Sequence, residues 1–171
     1  MIRIGMSTSR VYPQSTEHAF VLAKAAGFDG IEVMVIHDPT TQDADGLLEL
    51  SRRFELPIMS IHAPVLPFTQ LVWGIGANHK LERRDGPGSM GEGYLFDEHR
   101  LPGHGTQPVA EVLQYLAGRG WNGSIIAEVN TRNAGSERER LGMLVETRAF
   151  AQQHLASPRP VLPKRAKSDS A

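Results

Sequence analysis

Two glutamates, Glu32 and Glu128, stand at the same place in a segment that the chain repeats. Residues 26–33 read Ala-Gly-Phe-Asp-Gly-Ile-Glu-Val, and residues 118–129 read Gly-Arg-Gly-Trp-Asn-Gly-Ser-Ile-Ile-Ala-Glu-Val. In each copy a helix ends at glycine, the chain turns through Asp-Gly or Asn-Gly, and a short apolar strand closes on Glu-Val. Because parallel α/β folds bind ligands at the C-terminal ends of strands, each carboxylate is predicted to lie where chemistry takes place. The alternative is a solvated strand end.

The apolar pattern predicts the elements that must position these carboxylates. Strands are predicted over residues 2–6, 30–36, 56–61 and 124–129, and helices over about 15–26, 43–54, 108–117 and 137–155. The second strand is a nearly continuous apolar run, which is typical of a parallel sheet with both faces buried. Since parallel connections need crossover helices, the first half predicts a βαβαβ unit with three parallel strands.

Length, charge and cysteine content exclude several classes of function. With 171 residues, the chain is long enough for one ordinary domain. Its formal charge of −1 gives no general attraction to nucleic acid or to anionic membranes. The absence of cysteine excludes disulfides, thiolate metal ligands and cysteine nucleophiles. No apolar run resembles a signal peptide or a membrane span, so the expected location is the cytoplasm, with no membrane partner.

Two segments lack a periodic apolar face. Residues 74–93 are rich in glycine and charge and are predicted to form an irregular junction. Residues 156–171 carry prolines and basic side chains and are predicted to be a disordered tail. Residues 1–155 are then one domain, with an N-terminal block to residue 73 and a C-terminal block over 94–155. The junction and the tail are expected to be the most mobile parts.

Four phrases, in this order, resemble the xylose isomerase-like TIM barrels, the superfamily of sugar phosphate isomerases/epimerases and endonuclease IV-type enzymes. They are Gly-Phe-Asp-Gly-Ile-Glu at 27–32, Ser-Ile-His-Ala-Pro at 60–64, Asp-Glu-His at 97–99 with Pro-Gly-His-Gly at 102–105, and Gly-Ser-Ile-Ile-Ala-Glu-Val-Asn at 123–130. In the family these positions belong to strands two, three, seven and eight. Each phrase alone is weak, and the combination gives the resemblance its specificity.

The resemblance implies an incomplete barrel. A complete (βα)₈ barrel usually takes about 250 residues, which is well beyond the length of this chain. The two blocks correspond to units one to three and to the end of unit seven with unit eight. The implied fold is therefore α/β, an incomplete TIM-barrel-like domain whose parallel sheet has about four to five βα units. An internal deletion around residues 74–90 is the corresponding interpretation of the junction.

The resemblance also implies a metal site. In this superfamily, Glu, Asp and His at the barrel mouth bind a divalent metal that polarises a hydroxyl-carbonyl pair or activates water. By position, Glu128 is the ligand and catalytic carboxylate of the last strand, and His62 is the ligand of the third strand. Asp97 and His99 match an Asp-x-His ligand pair of the nucleases. The implied cofactor is Mn, Mg, Co or Zn, in a cage that lacks the family's ligands from the fifth and sixth strands.

Glu32, His104 and Asn130 are the candidate substrate-binding residues. His104 stands between two glycines where relatives often have Arg, which implies a weaker phosphate contact. Asn130 is placed to orient either Glu128 or the substrate.

Structural alternatives stay open for most of these candidates. His62 can instead hydrogen-bond a loop carbonyl, and Asp97 and His99 can be ordinary turn residues. Glu32 can instead brace the neighbouring loops.

Three functions are compatible with the sequence. The first is a metal-dependent isomerase/epimerase-like protein for a small sugar or sugar phosphate, with impaired or no activity. The second is a non-catalytic remnant or a homo-oligomerising fragment, because an incomplete barrel leaves two sheet edges unpaired. The third, endonuclease IV-like action on abasic DNA, is opposed by the near-neutral charge.

Two expectations follow from the parallel sheet and the missing ligands. Parallel strands put their C-terminal ends on one side, so His62 and Glu128 are expected near each other at one rim. Because proton transfer needs a fixed cation and an aligned base, the isolated chain is not expected to turn over a sugar phosphate at an appreciable rate.

Overall fold

The computed structural model describes residues 1–35, 38–62, 99–105 and 107–157. Asp97, the predicted junction and residues 158–171 of the predicted tail lie outside these described residues. The elements are β1 (Arg3–Ser7), α1 (Thr16–Ala26), β2 (Gly30–Met34), α2 (Ala44–Phe54), β3 (Ile58–His62), α3 (Val109–Gly118), β4 (Ser124–Ala127) and α4 (Glu137–Leu155). Short 3₁₀ helices follow β1 and β2, at Thr8–Val11 and Pro39–Gln42. A search of the described helices for a membrane-spanning segment finds none.

All four strands are parallel and form one sheet in the order β3-β2-β1-β4. The sheet curls into a half-barrel, so the fold is α/β and resembles an incomplete TIM barrel, as the sequence predicts. Gly5 at the centre of β1 lies opposite Gly30 on one side and Ile126 on the other. The predicted βαβαβ unit is confirmed, with α1 and α2 as its crossover helices.

Element boundaries agree closely with the sequence pattern. The predicted range of the last helix matches α4. The Ser15 hydroxyl accepts a hydrogen bond from the His18 N–H and caps α1, which ends at Gly27 with a left-handed φ of 79°. β2 and β4 each end two residues earlier than predicted. Each of the two strands ends where its ladder ends, at the pairs Met34–His62 and Met6–Ala127.

The hydrophobic core lies between the outer face of the sheet and the helices. Neighbouring helices pack in the order α3-α4-α1-α2, which follows the strand order β4-β1-β2-β3. The largest fully buried apolar side chains are Phe20, Met6, Ile31, Leu144, Val11 and Val33. The order of the helices therefore runs parallel to the order of the strands on the outer face of the sheet.

Glycines on the inner face of the half-barrel leave space for Met59. A Cβ atom at Gly5 would lie 2.8 Å from the Met59 Sδ. A Cβ atom at Gly30 would lie 2.8 Å from the Met59 Cε and 2.6 Å from the carbonyl oxygen of Pro57. The Met59 side chain thus fills the inside of the half-barrel, directly over the two glycines.

Asp38 connects the starts of two helices. Its Oδ2 accepts hydrogen bonds from the N–H and the hydroxyl of Thr16, both at 2.7 Å, and its Oδ1 accepts one from the Thr40 N–H at 3.0 Å. Burial by itself would raise the pKa of Asp38, but the hydrogen bonds from Thr16 and Thr40 outweigh burial and hold this pKa below its ordinary value. The charged form is therefore the one that stabilises the fold.

Asp38→Asn is expected to lower the free energy of unfolding at pH 7 by about 1–3 kcal/mol. The reason is that hydrogen bonds to a charged group stabilise a fold more than hydrogen bonds between neutral groups do. The folded pKa is depressed, so this stability is present above the ordinary value of 3.8 and is lost as the pH falls through the folded pKa. Urea unfolding at pH 7 and below pH 4 measures the difference in free energy of unfolding between the wild type and Asp38→Asn. This difference should be smaller in acid. Glu49→Gln, which neutralises an exposed carboxylate, is the control. If both variants lost the same unfolding free energy at pH 7, the stabilising role of charged Asp38 would be contradicted.

Candidate metal centre

An irregularity in the pairing of β2 and β3 sets which side chains reach the inner face. The register shifts between Ile31 and Glu32, and Glu32 then lies opposite Ser60. Bulges of this kind re-aim side chains and are common beside active sites. Because alternate strand residues share a face, Ser60 and His62 lie on the same face as Glu32.

Three side chains converge at the C-terminal rim of the half-barrel. Glu32 comes from β2, His62 ends β3, and Glu128 directly follows β4. One ligand atom from each residue can be chosen so that all three atoms lie within 4.8 Å of one another. The expected proximity of His62 and Glu128 at one rim is therefore confirmed. The three residues are called the mouth triad below.

Ser60 fixes the carboxylate of Glu32. The Ser60 hydroxyl donates to Glu32 Oε2 at 2.8 Å, while Glu32 Oε1 lies 3.8 Å from Nδ1 of His62. The Glu32 side chain is only 13% exposed, so this hydrogen bond supports a largely buried carboxylate. Ser60 is not among the candidates predicted from the sequence. The signal that could have found it is its i, i+2 spacing from His62 within one predicted strand.

His99 lies beside Glu128 at the same rim. Its Nδ1 is 3.8 Å from Glu128 Oε2, and its backbone carbonyl accepts a 2.7 Å hydrogen bond from the Asn130 N–H. The Asn130 Oδ1 accepts from the N–H of Arg132 at 3.0 Å, which orders the turn after β4. The structure thus brings His99 and Asn130, both sequence candidates, to the neighbourhood of Glu128.

An open groove with a volume of about 530 Å³ continues from His99. About half of its lining is polar, and the lining includes the candidates His104 and Asn130 together with Arg100 and Asn133. The His104 Nε2 lies 3.2 Å from Glu146 Oε1 on α4. His104 is therefore separated from the mouth triad, but it shares a groove with a residue that contacts the triad.

Arg10 holds the segments after β1 and β4 together. Its guanidinium donates to the backbone carbonyl of Glu128 at 3.4 Å and to the Ser9 hydroxyl at 2.6 Å. The hydroxyl of Thr131 donates to the backbone carbonyl of Arg10. These contacts fix the backbone that carries Glu128, and no local pattern in the sequence indicated them.

The donor set of the mouth triad suits a divalent cation. Two carboxylates and one imidazole are the oxygen and nitrogen ligands that Mn²⁺, Co²⁺ and Zn²⁺ accept, whereas Mg²⁺ prefers oxygen alone. The side chains of His62 and Glu128 are 38% and 33% exposed, so a cation there would remain accessible to a ligand. The three ligands come from the C-terminal ends of three different strands, which a rigid sheet can hold at fixed separations.

No family model matches the sequence, and no solved structure matches it. The chain is similar to the uncharacterized protein Rv0498 of Mycobacterium tuberculosis (strain ATCC 25618 / H37Rv), with 28% identity over 274 positions that cover 90% of this chain and 98% of the relative. It is also similar to the uncharacterized protein ML2432 of Mycobacterium leprae (strain TN), with 26% identity over 275 positions, 91% of this chain and 98% of the relative. Because the chain has 171 residues, at least 103 of the 274 aligned positions have no residue of this chain opposite them.

Proposed function

We propose that this chain is a sugar phosphate isomerase/epimerase-like protein that binds a divalent cation through the mouth triad and has impaired or no turnover. The observation that carries the metal assignment is the convergence of Glu32, His62 and Glu128 within 4.8 Å. The half-barrel architecture supports the impaired turnover, since the four strands of the described residues supply half of the mouth that eight strands would form.

A bound cation would polarise neighbouring hydroxyl and carbonyl oxygens of a sugar. Glu128 is the carboxylate placed to hold or move a proton, because it is one-third exposed and its Oε2 has His99 at 3.8 Å. Glu32 is more deeply buried and is held by Ser60, so its role is to bind the cation and fix its position. His62, whose Nδ1 lies 3.8 Å from Glu32 Oε1, would add the imidazole ligand.

The groove beside His99 supports a phosphorylated substrate. A phosphate accepts hydrogen bonds from guanidinium, imidazole and amide N–H groups, and the groove offers all three through Arg100, His104 and Asn133. Glu146 next to His104 weakens the attraction of that position for an anion. A long polyanion is less suited, because the chain has a formal charge of −1 and no general affinity for DNA.

The half-barrel also favours a second candidate function, a non-catalytic metal-binding remnant. Efficient proton transfer needs a base held within hydrogen-bond reach of the substrate, and small displacements cost large factors in rate. In the described residues the mouth triad stands at the rim of an open sheet. Both candidates predict metal binding, and they differ in whether a sugar phosphate is activated.

Exchange of a substrate proton with solvent separates the two candidates. The Mn²⁺-loaded chain is incubated with aldose and ketose phosphates in D₂O, and NMR follows deuterium at the carbon beside the carbonyl. We expect slow incorporation that disappears in Glu128→Gln, together with no appreciable net turnover. No incorporation with intact metal binding favours the remnant, whereas rapid turnover abolished by Glu128→Gln would contradict impaired activity. Failure to bind any divalent cation would refute the metal-dependent function.

Ser60→Ala is expected to weaken Mn²⁺ binding about 10- to 100-fold, because the hydrogen bond that orients a ligating carboxylate is lost. Isothermal titration calorimetry measures the affinity. Ser51→Ala is a matched control, since the Ser51 hydroxyl also donates a 2.8 Å hydrogen bond, to the Leu56 carbonyl away from the rim. A loss of metal affinity equal in both variants would show that Ser60 acts only through stability.

A further inference from the structure

The two edges of the sheet are β3 and β4, and they end in different environments. Within the described residues, no strand pairs with the outer side of either one. Ile61 of β3 is 64% exposed, although its neighbour in the ladder, Val33, is completely buried. Ile61 therefore occupies an outer-face position of the sheet that α2 does not cover.

A cavity of about 170 Å³ lies at the edge formed by β4. Three successive residues of β4, Ile125 to Ala127, line it, together with Ile4 of β1, Val109 and Leu113 of α3 and Phe150 of α4. Because successive strand residues point to opposite faces, a cavity that contacts all three reaches around the open edge of β4. Its lining is largely apolar, which suits an aliphatic side chain from an adjoining strand.

The two terminal helices of the row have exposed apolar side chains on the sides that no other described helix packs against. α2 contacts α1 through the ion pair of Arg53 with Glu17, and Leu48 lies about 140° around α2 from Arg53, 48% exposed. Leu48 thus points away from α1. A further helix in the row would pack against this side of α2.

The same holds at the other end of the row. α3 contacts α4 through Gln114 Nε2, which lies 3.3 Å from the His154 Nδ1. Val112 lies about 160° around α3 from Gln114 and is 51% exposed, and Tyr115 beside it is 53% exposed. The apolar side chains of α2 and α3 therefore point beyond opposite ends of one half-barrel.

We propose that two copies of this chain close into one eight-stranded parallel barrel, with β3 of each copy pairing with β4 of the other. A half-turn about the barrel axis leaves strand direction unchanged, so the new pairs are parallel, and four strands from each copy give eight. The dimer then has two identical interfaces. In each interface, Ile61 enters the cavity beside the partner's β4, and Leu48 packs against the partner's Val112. Closure removes both exposed edges of each copy.

Closure also completes the mouth. His62 ends β3 and Glu128 follows β4, so each His62 comes to lie beside the partner subunit's Glu128 and His99. The mouth then holds two triads, one from each copy. This arrangement depends on the apolar contacts and not on metal, so dimerisation is tested separately from metal binding. In a closed dimer, the impaired turnover of the proposed function would rest on the ligands that the cage lacks from the fifth and sixth strands.

The oligomeric state of the full chain tests the proposal. Light scattering after size exclusion should give twice the chain mass of 18.8 kDa, without added metal. Ile61→Glu should convert the dimer into a folded monomer, judged by circular dichroism, since a carboxylate cannot enter an apolar cavity. Val21→Glu is the control: Val21 is 42% exposed on α1, away from both ends, and that variant should stay dimeric.

Cross-linking tests the geometry even if Ile61→Glu fails to fold. The chain has no cysteine, so Leu48→Cys and Val112→Cys each introduce a single thiol. A short bis-maleimide should link a mixture of these two variants into a two-chain product, and a mixture of Val21→Cys with Val112→Cys should give none. A monomeric wild type overturns the proposal. The proposal is also overturned if a folded Ile61→Glu variant stays dimeric, if open-ended oligomers form, or if the two mixtures cross-link equally.

Discussion

Replacing Glu128 with Gln is expected to lower the affinity of the chain for Mn²⁺ by about 100-fold or more. The amide keeps the size of the side chain but removes one of two anionic ligands in the mouth triad. Glu128 is also the ligand that connects the triad to His99. The affinity is measured by titration against a competing fluorescent chelator, with circular dichroism as the check on folding.

Glu49→Gln is the matched control for this loss of affinity. It makes the same chemical change at an exposed position of α2 and should leave the affinity within about twofold of wild type. Comparable affinities of the Glu128→Gln and Glu49→Gln variants would show that Glu128 binds no cation. Glu128, the more exposed of the two carboxylates, would then not belong to the metal centre.

Gly30→Ala is expected to lower the free energy of unfolding by about 2–3 kcal/mol, the upper part of the usual range for overpacking. The new Cβ would lie 2.6 Å from the Pro57 carbonyl oxygen, which is backbone and already accepts a hydrogen bond from the Ile31 N–H at 2.9 Å. It would also meet Met59, so β2 and β3 must separate for it to fit. Urea unfolding followed by circular dichroism measures the change.

The same substitution at Gly142 should instead raise the free energy of unfolding. Gly142 lies within α4, and a Cβ there would meet no atom within 4 Å. Alanine is favoured over glycine in a helix interior by about 0.5–1 kcal/mol, so Gly142→Ala should stabilise the chain. If Gly30→Ala proved as harmless as Gly142→Ala, the close approach of Met59 and Pro57 to β2 would be refuted.

Local pattern was enough to predict the elements of the fold. The range predicted for the last helix, 137–155, matches α4, and the continuous apolar run after Gly30 indicated a buried parallel strand. The same rule that places all C-terminal strand ends on one side predicted that His62 and Glu128 would meet. These features depend on neighbouring residues or on one general property of parallel sheets.

The features that were not predicted depend on register and on distant contacts. The Ser60–Glu32 hydrogen bond exists because the pairing of β2 and β3 shifts by one residue, which no local signal announces. Asp38 finds its partner Thr16 22 positions earlier in the chain. His99 was named through resemblance, and only the three-dimensional structure shows that it reaches Glu128.

Nitrogen ligation of a bound ion is the most direct test of the mouth triad. Pulsed electron paramagnetic resonance of the chain loaded with one equivalent of Mn²⁺ detects nitrogen nuclei bound to the metal. The account predicts an imidazole coupling that is lost or strongly reduced in His62→Ala and unchanged in His18→Ala, whose Nε2 contacts Glu137 on α4 instead. A wild-type spectrum without nitrogen coupling, or a coupling equally strong in His62→Ala, would contradict it.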